Sequence, residues 1–166
     1  MNGHPGGTEH TRRLLELANL PRGARIIDLG AGAGEAVQLM REQGFDALGI
    51  DLRPRSELVE KGDMHASGFP SESFDAVLSQ CAFFLSGDPP AALQEAQRIL
   101  KPEGLLLLSD VFFEEPIFPG YTVLYTEDLT QQWRDYYLGL LWEGKDCGCD
   151  IPKKKCSYQL IIARKD

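Results

Sequence analysis

The chain has 166 residues, of which 43% are hydrophobic and 25% charged, with a formal net charge of −8. That length suits one domain, residues 1–166, around one core, and the acidic balance argues against nonspecific binding to nucleic acid or anionic membrane. No run of about 18 apolar residues is present, and the first seven residues lack the charged start and apolar core of a signal peptide, so a cytoplasmic location is expected.

Residues 1–7 are polar and glycine-rich and are expected to be flexible. Thr8 or Thr11 can cap a helix running to about Asn19, with Leu14, Leu15, Leu17 and Ala18 on its apolar side. Pro21-Arg-Gly23 stops it. Ile26, Ile27 and Leu29 then read as a short buried strand, followed by Gly30, Gly32 and Gly34 and by a helical pattern from Glu35 that carries Ala36, Val37 and Met40. A glycine-rich turn between strand and helix lets a ligand approach the main chain and the free N–H groups of the helix start. The spacing narrows the ligand. A dinucleotide turn wants Gly-x-Gly-x-x-Gly, but Glu35 stands at that third position, and no lysine is present for a phosphate loop.

Gly44 ends the helix, and Phe45 to Asp51 read as a second strand closing on a carboxylate. Asp51, about 20 residues past the glycines, is placed to accept from a ribose diol; the competing reading is a helix-capping or turn aspartate ahead of Pro54. From there to Asp63 the chain has room for a short helix over 55–60 and a ragged third strand. Phe74 to Leu78 read as the fourth strand, and Gln80 to Leu85 leave its carboxyl end, where ligands of open α/β sheets sit. Phe83 and Phe84 either wall a substrate pocket or fill the core. Asp88-Pro-Pro90 starts another helix, with Ala91, Leu93, Ala96, Ile99 and Leu100 on its apolar side. After the Lys101–Gly104 turn, Leu105 to Val111 form a nearly unbroken apolar run that suits a central strand. Residues 112–126 and 143–156 are expected as loops near the site or sheet edge, with a helix starting at Thr126. Leu138 to Trp142 and Ser157 to Arg164 read as the last two strands, in an antiparallel edge hairpin.

Asp28-x-Gly30-x-Gly32-x-Gly34 and the acid Asp51 together resemble the cofactor motif of class I S-adenosylmethionine-dependent methyltransferases. So do the Gly62-Asp63-Met64 turn, the Pro70-x-x-x-Phe74-Asp75-x-Val77 run, the Arg98-Ile-Leu-Lys-Pro-x-Gly104 turn and the final Ile161-Ile-Ala-Arg-Lys165. The resemblance spans residues 25–164, with Gly68 where relatives usually keep a leucine. It implies an α/β, Rossmann-like open sheet of about seven strands, mostly parallel with the last antiparallel, and helices on both faces. It also implies S-adenosyl-L-methionine as cofactor and S-adenosyl-L-homocysteine as product, with cofactor contacts from Asp28, Gly30, Ala31, Gly32, Gly34, Asp51, Leu52, Asp63, Met64 and Gln80. Asp63 would accept from the adenine amino group, and Met64 would pack against the ring. The first helix would lie across the cofactor site.

The implied activity is in-line methyl transfer to a small-molecule or protein acceptor; the alternative is a noncatalytic cofactor-binding or partner-dependent module. No histidine–carboxylate pair marks a catalytic base, and His4, His10 and His65 read as bystanders. The short additions late in the chain predict an open acceptor site or one completed by a homodimer or other partner. Cys147, Cys149 and Cys156, with Cys81 at the expected site, are read either as reduced thiols or as a soft-metal site bearing on a metalloid acceptor. Three clustered cysteines do not make a structural zinc pattern, so no metal is expected.

Overall fold

The computed structural model describes residues 6–144 and 156–166. Seven strands form one sheet: β1 (Arg25–Leu29), β2 (Asp46–Asp51), β3 (Glu60–Lys61), β4 (Phe74–Gln80), β5 (Leu100–Phe112), β6 (Tyr121–Asp128) and β7 (Ser157–Lys165). Four helices accompany them: α1 (Gly7–Ala18), α2 (Glu35–Glu42), α3 (Pro89–Ile99) and α4 (Thr130–Trp142). The sheet order is β3-β2-β1-β4-β5-β7-β6. The first five strands pair in parallel, and β7 runs antiparallel between β5 and β6. This is the α/β, Rossmann-like arrangement expected, with one antiparallel strand and helices on both faces.

Both faces are buried, which explains the continuous apolar runs of β1 and β5. On one face Leu14 and Leu15 of α1, Val37 and Met40 of α2 and Trp133 of α4 pack with Ile26, Leu78, Leu107, Tyr158 and Leu160. On the other, Ala92, Ala96 and Ile99 of α3 meet Ile27, Leu29, Val77, Leu106 and Ile161. α3 starts as its sequence implies: Pro89 occupies the first turn and the Asp88 carboxylate accepts from Ala91 N at 3.1 Å. α1 begins at Gly7 without a side-chain cap, and Thr11 lies inside it.

The structure corrects the late part of the chain. Residues 138–142, expected as a strand, are the end of α4, and the sixth strand is Tyr121–Asp128, which begins inside the stretch expected as a loop near the site and runs into the expected helix start. The helix starts at Thr130, not Thr126, with Asp128 accepting from Thr130 N at 2.8 Å. Tyr121 pairs with Lys165, and Arg164 with Leu105, so β6 enters the sheet at the end remote from the strands' carboxyl termini. Its pairing slips between Val123 and Tyr125, a bulge at Leu124. The β7 strand is internal, and β6 is the edge. At the opposite edge the expected helix over 55–60 is replaced by turns, leading to a two-residue β3. Among the described residues, no helix is long and apolar enough to cross a membrane.

Candidate functional site

Strand β1 delivers the chain to the glycine turn at the carboxyl end of the sheet. Gly30 N and Ala31 N both donate to Ile50 O, at 2.9 and 3.0 Å, fixing the turn to β2. Gly30, Gly32 and Gly34 hold φ of 86°, 54° and 83°, a region where a side chain is strained. At Gly30 crowding adds to strain: a Cβ would lie 2.4 Å from the Ala82 Cβ and 3.2 Å from the Met64 Cε. Three segments therefore meet there: the glycine turn, the exit of β4 and the turn after β3. Gly34 caps α2 in the left-handed conformation, and Gly32 faces the guanidinium of Arg55. The brief segment after β2 packs onto the turn, with Arg55 N donating to Gly32 O at 3.0 Å and Ser56 Oγ to Ala33 O at 2.7 Å.

Asp51 closes β2 half-buried. Its Oδ2 accepts from Gly32 N at 2.9 Å and its Oδ1 from Arg53 N at 2.8 Å. A carboxylate offers about four lone-pair positions, so two remain for a ligand's hydroxyls. The ligand reading and the turn-aspartate reading thus describe one side chain doing both. Leu52, next in the chain, is 59% exposed, an apolar face beside the turn. Asp28 is 4% exposed at the centre of the sheet. Burial first, and then the charge of Asp51, push its carboxyl up to about 7. Asp63 accepts from His65 N at 2.9 Å and pairs with the His65 ring at 3.0 Å, so His65 is the aspartate's partner.

Gln80 is also near the turn, but its side chain faces inward. Its Oε1 accepts from Thr11 of α1 at 2.7 Å and its Nε2 donates to Ser109 Oγ at 3.1 Å, both buried. His10 approaches the Tyr158 hydroxyl at 3.5 Å, and Cys81, left-handed at φ 51°, reaches the same hydroxyl at 3.6 Å. α1 is thereby fastened over the carboxyl ends of β4 and β5 and the start of the antiparallel β7. Phe83 is buried in the α3-side core, and Phe84 is half-buried against the other.

Two carboxylates outside the expected set organise the surroundings. Asp110, 1% exposed near the end of β5, accepts from Phe83 N at 3.0 Å, Phe84 N at 3.4 Å and Val111 N at 2.8 Å. Burial raises its carboxyl to about 7 against those bonds. Glu95 of α3 grips the segment after Asp63. An acid inside the apolar run Leu105–Val111 was the available signal for Asp110; Glu95 has none, because its partners are distant in sequence. Among the described residues, no group of three or more His, Cys, Asp or Glu is arranged for a metal. Cys81 and Cys156 are not in disulfides, while His4, Cys147 and Cys149 lie outside the described residues.

The positive-φ glycines, a carboxylate with spare acceptor positions and the neighbouring Leu52 and Met64 suit a phosphate-free nucleoside better than a pyrophosphate. Comparison with known proteins agrees. The family model described as a methyltransferase domain matches residues 8–143. A demethylmenaquinone methyltransferase of Renibacterium salmoninarum is 30% identical over 136 residues, covering 75% of this chain and 56% of that protein. An aklanonic acid methyltransferase of a Streptomyces species is 29% identical over 150 residues, covering 74% and 68%. The chain spans about half the length of several curated relatives it matches. In fold it resembles the Haemonchus contortus phosphoethanolamine N-methyltransferase 2, solved with phosphomonomethylethanolamine and S-adenosylhomocysteine, at a TM-score of 0.75 and 15% identity over 98% of this chain and 53% of that one. The chain belongs to the class I S-adenosylmethionine-dependent methyltransferase family.

Proposed function

We propose that residues 1–166 act as one domain that binds S-adenosylmethionine across the glycine turn and transfers its methyl group to a small-molecule acceptor. The observation that carries this reading is the convergence at Gly30 of Ala82 and Met64, beside an Asp51 carboxylate that accepts from Gly32 N at 2.9 Å. When bound, the cofactor supplies an electrophilic methyl group on a cationic sulfur. Asp51 would accept from the ribose hydroxyls, Leu52 and Met64 would flank the adenine, and Asp63 would accept from its amino group. Asp28, once ionised, favours the cationic end. The exit of β4, held by Asp110, forms the wall towards the acceptor.

The chain's own contribution is chiefly orientation. Holding two reactants in line is worth on the order of 7–11 kcal/mol at best. No catalytic base is assigned: the His10 ring lies against Tyr158 and that of His65 against Asp63. With the cofactor bound, an acceptor lone pair would displace the sulfur from the methyl carbon, and any acceptor proton would leave to solvent.

Calorimetric titration with S-adenosylmethionine and S-adenosylhomocysteine tests the cofactor, and no heat with either at millimolar concentration rejects the proposal. Transfer of labelled methyl from S-adenosylmethionine to a metabolite extract tests the reaction. Binding without transfer would instead leave a cofactor-binding module.

A further inference from the structure

The segment from Gly62 to Ser73 carries Asp63 and Met64, yet it has no regular secondary structure. Its first turn is local: Ala66 N donates to Asp63 O at 3.2 Å and His65 N to the Asp63 carboxylate at 2.9 Å. The next residues hang on two side chains of α3. Glu95 Oε1 accepts from both Ser67 N, at 2.8 Å, and Ser67 Oγ, at 2.5 Å. Arg98 holds that carboxylate from the other side, Nε to Oε2 at 2.8 Å and Nη2 to Oε1 at 2.7 Å. The same guanidinium donates to Phe69 O at 2.8 Å and to Ser71 Oγ at 3.2 Å.

An acid and a base one helical turn apart ordinarily make a weak surface pair. This pair differs, because Glu95 is 8% exposed and two of its four bonds reach off the helix to Ser67. Arg98, and then Ser67, hold its carboxyl down to about 2 against the opposing effect of burial, so it stays an acceptor at every working pH. Ser67 lies three residues beyond Met64, whose Cε touches the glycine turn. A shift of Ser67 is therefore passed to Asp63 and Met64 through one compact turn.

We propose that Glu95, braced by Arg98, is a positioning residue for adenine selectivity: through Ser67 it sets where Asp63 and Met64 stand against the base. This rests on the cofactor reading above. Glu95 touches no part of the ligand and acts only through the segment it holds.

The test compares S-adenosylhomocysteine with S-inosylhomocysteine, in which a carbonyl replaces the adenine amino group. The wild-type chain should prefer the adenine compound by about tenfold, the worth of one hydrogen bond to a charged acceptor. Glu95→Ala should bring that preference to within about twofold, whereas Glu95→Gln, whose amide oxygen still accepts from Ser67, should keep most of it. Ser67→Ala, which loses the hydroxyl and keeps the N–H, should fall between, and it serves as the second variant if Glu95→Ala does not fold. An unchanged ratio in Glu95→Ala or Ser67→Ala, whatever the melting temperature, overturns the positioning role alone. A wild-type chain that binds neither compound overturns the cofactor reading and this inference together.

Discussion

The two halves of the sheet are built by different means. On the β3-β2-β1 side the site is made by backbone: three left-handed glycines, amides of Gly30 and Ala31 on one carbonyl, and a single carboxylate, Asp51, bridging two more. On the β4-β5-β7-β6 side it is made by side chains that meet across the chain, such as Thr11 with Gln80, His10 and Cys81 with Tyr158, and Arg13 with Glu127. The first kind of site is written in a few consecutive residues. The second depends on pairings up to 148 residues apart. A cofactor grip can thus be preserved locally while the acceptor end is rebuilt by changing contacts.

Four substitutions probe that contrast, from the largest effect down. Asp51→Ala removes the proposed ribose acceptor and the bridge between Gly32 and Arg53, so calorimetry should show S-adenosylhomocysteine affinity falling roughly a hundredfold. Retained affinity would mean that the backbone half does not depend on the Asp51 carboxylate. Thr11→Val leaves the buried Gln80 oxygen without its donor and should cost about 1–3 kcal/mol in urea unfolding. Its effect on cofactor affinity should be small, and a large loss there would show the two halves to be one unit.

The third is a pH profile. With its carboxyl raised to about 7, Asp28 is largely neutral below that pH and ionised above it. Affinity for the cationic cofactor should therefore rise from pH 6 to pH 8 by as much as about tenfold, and Asp28→Asn should flatten this rise. Stability moves in the opposite direction. A raised pKa favours the fold while the acid is neutral, so that contribution is present below about 4 and lost as pH climbs to about 7. Asp28→Asn should accordingly melt higher than wild type at pH 8 but not at pH 4. Smallest of all, Arg13→Ala breaks an exposed pair with Glu127 and should leave the melting temperature nearly unchanged.

The same contrast explains what could be read from sequence. Gly30, Gly32, Gly34 and Asp51 were legible because strand, turn and helix succeed one another there within a few residues. The late elements were not. Leu138 to Trp142 is a five-residue apolar run, too short for periodicity to separate helix from strand, and it proved to be the end of a helix. Thr122, Val123, Tyr125 and Thr126 carried β-branched and aromatic strand character, but neighbouring Pro119-Gly120 suggested a loop. Gln80 was placed at the right edge of the sheet, while its orientation depended on Thr11 and Ser109, which no local pattern reveals.

The bulge at Leu124 has a bearing on how the molecule behaves in a crowd. An outermost strand with Val123 and Leu124 both turned to water would offer another chain a sticky, regular ladder to extend. The extra residue breaks that ladder midway and twists the strand, so copies cannot zip edge to edge along its full length. Deleting Leu124 would restore the regular repeat, and the variant should scatter more light than the parent chain at equal concentration.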